Sequence, residues 1–183
     1  MDFFDDHIER VLLNEEDIRN KVAELGAAIT EDYRGSDREL VVVCILRGSL
    51  VFAADLMRAI NVPTVLDTMV VSSYGAATKS SGVVKINKDL EEDITGKDVL
   101  VVEDIVDTGL TLGYLKKYLT AREPASVRVC TFLDKPERRE IDVEIDYRGF
   151  EVPDEFVVGY GLDFDQLYRN YPQVVVLKPE AYA

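Results

Sequence analysis

The stretch VLVVEDIVDTGLTL, residues 99–112, ends an apolar run in three carboxylates, Glu103, Asp104 and Asp107, followed by a turn containing Thr108, Gly109 and Thr111. Two chemistries are present in it. A small-residue turn that opens a helix presents unpaired backbone N–H groups, and the hydroxyls of Thr108 and Thr111 add donors, so the turn suits a phosphate. Adjacent acids accept hydrogen bonds from sugar hydroxyls, or hold Mg²⁺, which prefers oxygen ligands and keeps several waters. A plainer reading makes Asp107 a helix N-cap and Glu103 and Asp104 solvated loop acids. The cap alone would leave the two neighbouring acids unexplained.

Placing these residues requires a sheet with helices on it. NEEDIRNKVAELGAAITEDYRG, from Asn14, spaces Ile18, Val22, Leu25 and Ile29 as one face of a helix, with Asn14 available as cap and acids in the first turn. LVVVCIL (40–46) reads as a strand buried on both faces, and SLVFAADLMRAI (49–60) as a helix ending before Pro63. The pattern recurs: strands in TVLDTMVVSS, VVKINKDL, DVLVVEDI and SVRVCTFL, with a helix in LTLGYLKKYL. Farther on, IDVEIDYRGFEVP, EFVVGYG and QVVVL read as strands and DFDQLYRNYP as a helical or turn segment. Residues 72–82, SSYGAATKSSG, lack periodicity and read as a mobile lid or a plain hairpin. In such a sheet ligands bind at the carboxyl ends of strands, which is where residues 103–111 fall.

Composition narrows the class. The 183 residues fit one domain, and 47% hydrophobic with 31% charged residues is ordinary for a globular protein. A net charge of -14 argues against a partner nucleic acid, whose phosphates need a basic face. It does not exclude a small anionic ligand, because exposed charges are screened beyond about 8 Å at physiological salt. No apolar run approaches the roughly 18 residues of a membrane span, and no leader pattern opens the chain, so a cytoplasmic setting without membrane association is expected. Cys44 and Cys130 read as buried free thiols. His7, the sole histidine, reads as a surface residue, which leaves nothing for a histidine triad or a histidine metal cluster.

With these residues set out, VVEDIVDTGLTL resembles the phosphoribosyl pyrophosphate signature of the type I phosphoribosyltransferases, a long and specific motif. CILRGS is similar to that family's pyrophosphate loop, SSYG to its lid, and LDKP to its purine-contacting lysine segment. FEVPDEFVVGYGLDFDQLYRNYPQVVVLKPE resembles the hood of hypoxanthine-guanine phosphoribosyltransferases, so the match spans about residues 40–180 in order. The resemblance implies an α/β fold of the type I phosphoribosyltransferase class, with a central, mostly parallel sheet flanked by helices. It implies a single domain over 1–183, with a core over about 35–150 and a small hood from about 151–183 with the N-terminal segment.

The activity implied is Mg²⁺-dependent transfer of the 5-phosphoribosyl group from phosphoribosyl pyrophosphate to N9 of hypoxanthine or guanine, a purine-salvage reaction yielding IMP or GMP and pyrophosphate. By resemblance, Glu103 and Asp104 would hold the ribose hydroxyls, and Asp107, Thr108, Gly109, Leu110 and Thr111 would wrap the 5-phosphate. Leu110 stands where many relatives carry lysine. Arg47 and Gly48 would contact pyrophosphate with Arg169; relatives often carry lysine at the Arg47 position, in a loop with a non-proline cis peptide. Ser73 and Tyr74 would belong to the lid. Lys135 would donate to the 6-oxo group of the purine, Phe156 would stack on its ring, and Val157 would meet the base edge through its backbone. Asp163, with Glu103 and Asp104, would serve Mg²⁺. Asp107 would be the general base. Without the resemblance, Lys135 reads as a surface lysine and Phe156 as core. Relatives are usually dimers or tetramers, so a homodimer or homotetramer is implied. The rival class is a regulator that binds the same donor or a nucleotide and switches a partner.

Overall fold

The computed structural model describes residue 4 and residues 6–73 and 84–181. Helix α1 (Glu15–Tyr33) starts at a capping box: Asn14 Oδ1 accepts from Glu16 N and Asp17 N at 2.9 Å each, and Asp17 reaches back to Asn14 N. Glu15, Glu16 and Asp17 place negative charge at the positive end of its dipole. The buried face is the one the spacing predicts: Ile18, Val22, Leu25 and Ile29, extended by Tyr33.

The main sheet has the order β4-β3-β2-β5-β6-β7. Its centre is β2 (Leu40–Leu46), parallel to β3 (Thr64–Ser73) on one side and β5 (Asp98–Val106) on the other. Next come β6 (Ser126–Asp134) and β7 (Tyr147–Glu151), also parallel, while β4 (Val84–Lys88) closes the far edge antiparallel to β3. The β-branched runs of β2 and β5 are buried because helices cover both faces. One core packs α1 and α2 (Leu50–Ala59) onto Val42, Cys44, Leu100 and Val102; the other packs α3 (Leu110–Thr120) onto Val41, Val43, Val99 and Val101.

A second, antiparallel sheet has the order β1-β9-β8, from β1 (Ile8–Leu13), β9 (Val174–Leu177) and β8 (Val157–Val158). The β1 strand is absent from the sequence reading. It is half-exposed, and its partner lies at the other end of the chain. His7 is more than a surface residue: its Nδ1 lies 2.7 Å from the Tyr168 hydroxyl.

Two readings are corrected. Only Tyr147–Glu151 of residues 141–153 forms a strand, because Val143 and Ile145 spend their apolar faces on the α3 core and Glu140 N and Ile141 N donate to Thr108 O. Within 155–161 only Val157–Val158 does so, since Gly159, Tyr160 and Gly161 all adopt positive φ. The lid segment beyond Ser73, including Tyr74, lies outside the described residues.

Candidate active site

Strand order reverses between β2 and β5: the crossover through α2 leads from β2 to β3 on one side, whereas the one through α3 carries β5 to β6 on the other. The crevice between the carboxyl ends of β2 and β5 is therefore a topological switch point, the place where open α/β sheets bind ligands. Gly48 follows β2 there, and Asp104 lies in β5 just past the end of its pairing with β2. A Cβ on Gly48 would fall 1.5 Å from Asp104 Oδ2, so only glycine fits between the loop and the acid. Gly161 of the second sheet's connection sits against the Gly48 carbonyl, where its own Cβ would come within 2.2 Å. Three segments thus meet at one backbone position.

Strict alternation of side chains breaks at the two acids. Val102 and Ile105 both face the α1–α2 core, while Val101 and Val106 both face the α3 core. The strand twists at Glu103 and Asp104, past its pairing with β2, while Ile105 and Val106 remain paired with Leu133 and Asp134 of β6. Glu103 is buried, and its Oε2 has no hydrogen-bond partner. Desolvation, and then the neighbouring Asp104 charge, raise its carboxyl well above the usual range. Desolvation also lifts Asp104 to about 6, against the pull of a hydrogen bond from Ile105 N at 2.8 Å and the nearby Arg169 charge. A buried acid with an orphaned oxygen beside a half-buried one fits a site that receives a divalent cation or a pair of hydroxyls. Among the described residues, no three acid, histidine or cysteine side chains form a ready-made metal cluster.

Beyond the acids, α3 begins at Gly109, whose φ of 84° is the left-handed conformation glycine tolerates. Asp107 is not the N-cap. Gly109 has no capping side chain, and Thr108 Oγ1 makes only a long 3.4 Å contact to Leu110 N, so the helix N-terminus keeps donor capacity. Asp107 instead faces Arg138, whose Nε lies 2.7 Å from Oδ1 as an ion pair outside hydrogen-bonding geometry. Its carbonyl accepts from Arg139 Nη1 at 3.1 Å.

On the β2 side the Leu46–Arg47 peptide is cis. Arg47 Nη1 donates to Gln166 Oε1 at 2.7 Å, and Arg169 Nη2 approaches the same oxygen at 3.3 Å. Arg169 also pairs with Asp163 at 2.7 Å and donates to the Gly161 carbonyl at 2.8 Å. On the β6 side Lys135 N bonds Val106 O at 2.9 Å, and its buried Nζ donates to Glu155 O at 2.6 Å. The residue is 8% exposed, whereas Phe156 beside it is 41% exposed and edge-on to Phe164. Lysine inside and phenylalanine outside invert what burial alone dictates. Val157 is buried in β8. A separate groove of about 700 Å³, between α1, α2 and the second sheet's connection and lined by Ile18, Val22, Val51 and Tyr160, meets these site residues only at Arg169.

The family model for the phosphoribosyl transferase domain matches residues 12–165. The chain belongs to this phosphoribosyltransferase family. It is 51% identical over 179 residues to a Mycobacterium tuberculosis protein named hypoxanthine-guanine phosphoribosyltransferase, covering 96% of this chain and 89% of that one. A Salmonella typhimurium hypoxanthine phosphoribosyltransferase is 52% identical over 176 residues, 95% of this chain and 99% of its own. Among solved structures, a Staphylococcus aureus hypoxanthine phosphoribosyltransferase superposes with a TM-score of 0.95 at 48% identity, covering 100% of this chain and 98% of that one.

In this phosphoribosyltransferase Arg47, Gly48, residues 103–111 and Lys135 lie at the carboxyl ends of β2, β5 and β6, whereas Phe156, Val157, Asp163 and Arg169 come from β8, its approach and the connection to β9. Ser73 ends β3, and Tyr74 lies outside the described residues. Sequence reasoning missed Gln166, Arg138 and Arg139. A glutamine at positive φ in an acidic turn and two arginines after a proline carry no motif of their own; their partners come from distant segments.

Proposed function

We infer that this phosphoribosyltransferase works in purine salvage, moving the 5-phosphoribosyl group from phosphoribosyl pyrophosphate to N9 of hypoxanthine or guanine to form IMP or GMP and pyrophosphate. The names of the relatives support this reading, and one observation carries the choice of acceptor. Lys135 is buried with its ammonium against the Glu155 carbonyl, next to the exposed ring of Phe156. A fixed cationic donor beside an aromatic face suits a 6-oxopurine and offers nothing to a 6-amino group.

In this reading Glu103 and Asp104 receive the ribose hydroxyls, and Asp107 through Thr111 receive the 5-phosphate on unspent amides, so the neutral Leu110 is tolerated. Arg47, Gly48 and Arg169 receive the pyrophosphate; their shared hold on Gln166 keeps two guanidiniums close enough for one polyanion. Glu103, Asp104 and Asp163 are the oxygen donors available to Mg²⁺, which when bound neutralises charge on the leaving pyrophosphate. As the bond from C1 to pyrophosphate breaks and that to N9 forms, Asp107 accepts the N9 proton. Val157 offers backbone groups to the base edge, and Ser73 and Tyr74 begin the lid. The three-stranded sheet, joining residues after 151 to the N-terminal segment, is the hood over a single domain.

A homodimer or homotetramer belongs to the same reading, and two buried free thiols fit a reducing, cytoplasmic setting. Incubation with Mg²⁺, phosphoribosyl pyrophosphate and hypoxanthine, guanine, xanthine or adenine tests the assignment. Nucleotide and equimolar pyrophosphate are expected from hypoxanthine or guanine, with loss of turnover on chelation. Tight donor binding without turnover on any base would identify a regulator instead.

A further inference from the structure

Arg138 closes the 3-10 turn Pro136–Arg138, directly after Lys135. Besides facing Asp107, it donates from Nη1 to Asp154 Oδ1 at 3.3 Å, and that same oxygen lies 3.7 Å from Lys135 Nζ. One guanidinium therefore joins the carboxylate at the reaction centre to the segment that leads into Phe156. Arg139 grips the other side of Asp107, bonding its carbonyl while pairing with the buried Asp134. Glu140 N and Ile141 N add bonds to Thr108 O, at 2.9 and 3.2 Å. The backbone of the phosphate turn is fixed by these contacts without Arg138. Arg138 instead meets the Asp107 side chain.

We propose that Arg138 is a positioning residue, which aims the Asp107 carboxylate and couples it through Asp154 to the purine-binding segment. The inference rests on the reading of Asp107 as proton acceptor. A guanidinium is planar and permanently charged, so it fixes the direction of a carboxylate that faces it. The guanidinium holds the buried Oδ1, so the 41% exposure of the Asp107 side chain lies on the rest of the carboxylate, which is left to meet the base. Asp154 precedes Phe156 by two residues, so a purine that settles against Phe156 also sets Arg138 and, through it, Asp107. The side chains of the Arg138–Asp107 pair are 46% and 41% exposed, so it adds little to folding and its loss leaves the fold in place.

The test compares kcat and KM for both substrates in the wild type, Arg138→Met, Arg138→Lys, Asp107→Asn and the Arg138→Met, Asp107→Asn double variant. Arg138→Met is expected to lower kcat about 10- to 100-fold with KM for phosphoribosyl pyrophosphate within about 2-fold, and Arg138→Lys to recover part of the loss. In the Asp107→Asn background Arg138→Met should cost nothing further, because both changes remove one interaction. An equal loss in both backgrounds, or none in the wild type, overturns the coupling. Full turnover in Asp107→Asn alone overturns instead the assignment of Asp107 on which the coupling rests.

Discussion

The pair Glu103–Asp104 should weaken the fold it belongs to. Asp104 titrates near 6 rather than the ordinary 3.8, chiefly because it is desolvated. At about 1.36 kcal/mol per pH unit, an ionised Asp104 in the ligand-free protein at pH 7 costs up to about 3 kcal/mol. Its folded pKa lies above the unfolded one, so the native state binds more protons in between, and stability falls as pH rises from about 3.8 through 6. Glu103, shifted the same way, adds to this slope. Asp104→Asn removes the charge while keeping an oxygen for Ile105 N. In urea unfolding of the ligand-free protein at pH 7, the variant should be the more stable, by up to about 3 kcal/mol, with the gap narrowing by about 1 kcal/mol at pH 5. Its affinity for Mg²⁺ with phosphoribosyl pyrophosphate should fall at the same time, stability traded against function. A variant less stable than wild type at pH 7, or a gap independent of pH, would refute the reasoning.

Two further substitutions separate the halves of the site. Lys135→Met keeps a long apolar stem but removes the ammonium; at about 1.5–3 kcal/mol for a charged hydrogen bond, KM for hypoxanthine should rise about 10- to 100-fold while that for phosphoribosyl pyrophosphate holds. Gly48→Ala places a methyl 1.5 Å from the present position of Asp104 Oδ2 and must push the carboxylate aside. KM for phosphoribosyl pyrophosphate should then rise about 10-fold or more, with an unchanged circular dichroism spectrum.

The central strands were legible because LVVVCIL and DVLVVEDI are too apolar to lie anywhere but inside a covered sheet, and Asn14 with three acids announced the start of α1. The donor half of the site was legible for a related reason: acids, small turn and helix start are contiguous in sequence, so the motif contains its own geometry. What escaped depends on distant partners. The β1 strand acquires meaning only beside β9, and IDVEID alternates like a strand yet packs on α3 instead of pairing. Lys135 is buried and Phe156 exposed, the reverse of their usual places, and no periodicity records that. Arg138 and Gln166 each bridge segments that only the fold brings together.

Single-turnover kinetics of Asp107→Asn test most directly the proposed division of labour among Glu103, Asp104 and Asp107. With saturating Mg²⁺, phosphoribosyl pyrophosphate and hypoxanthine, the rate of IMP formation should fall about 10²- to 10⁴-fold, while the dissociation constant for phosphoribosyl pyrophosphate stays within a few-fold of wild type. A near-normal rate, or a loss of donor affinity as large as the loss of rate, would contradict it.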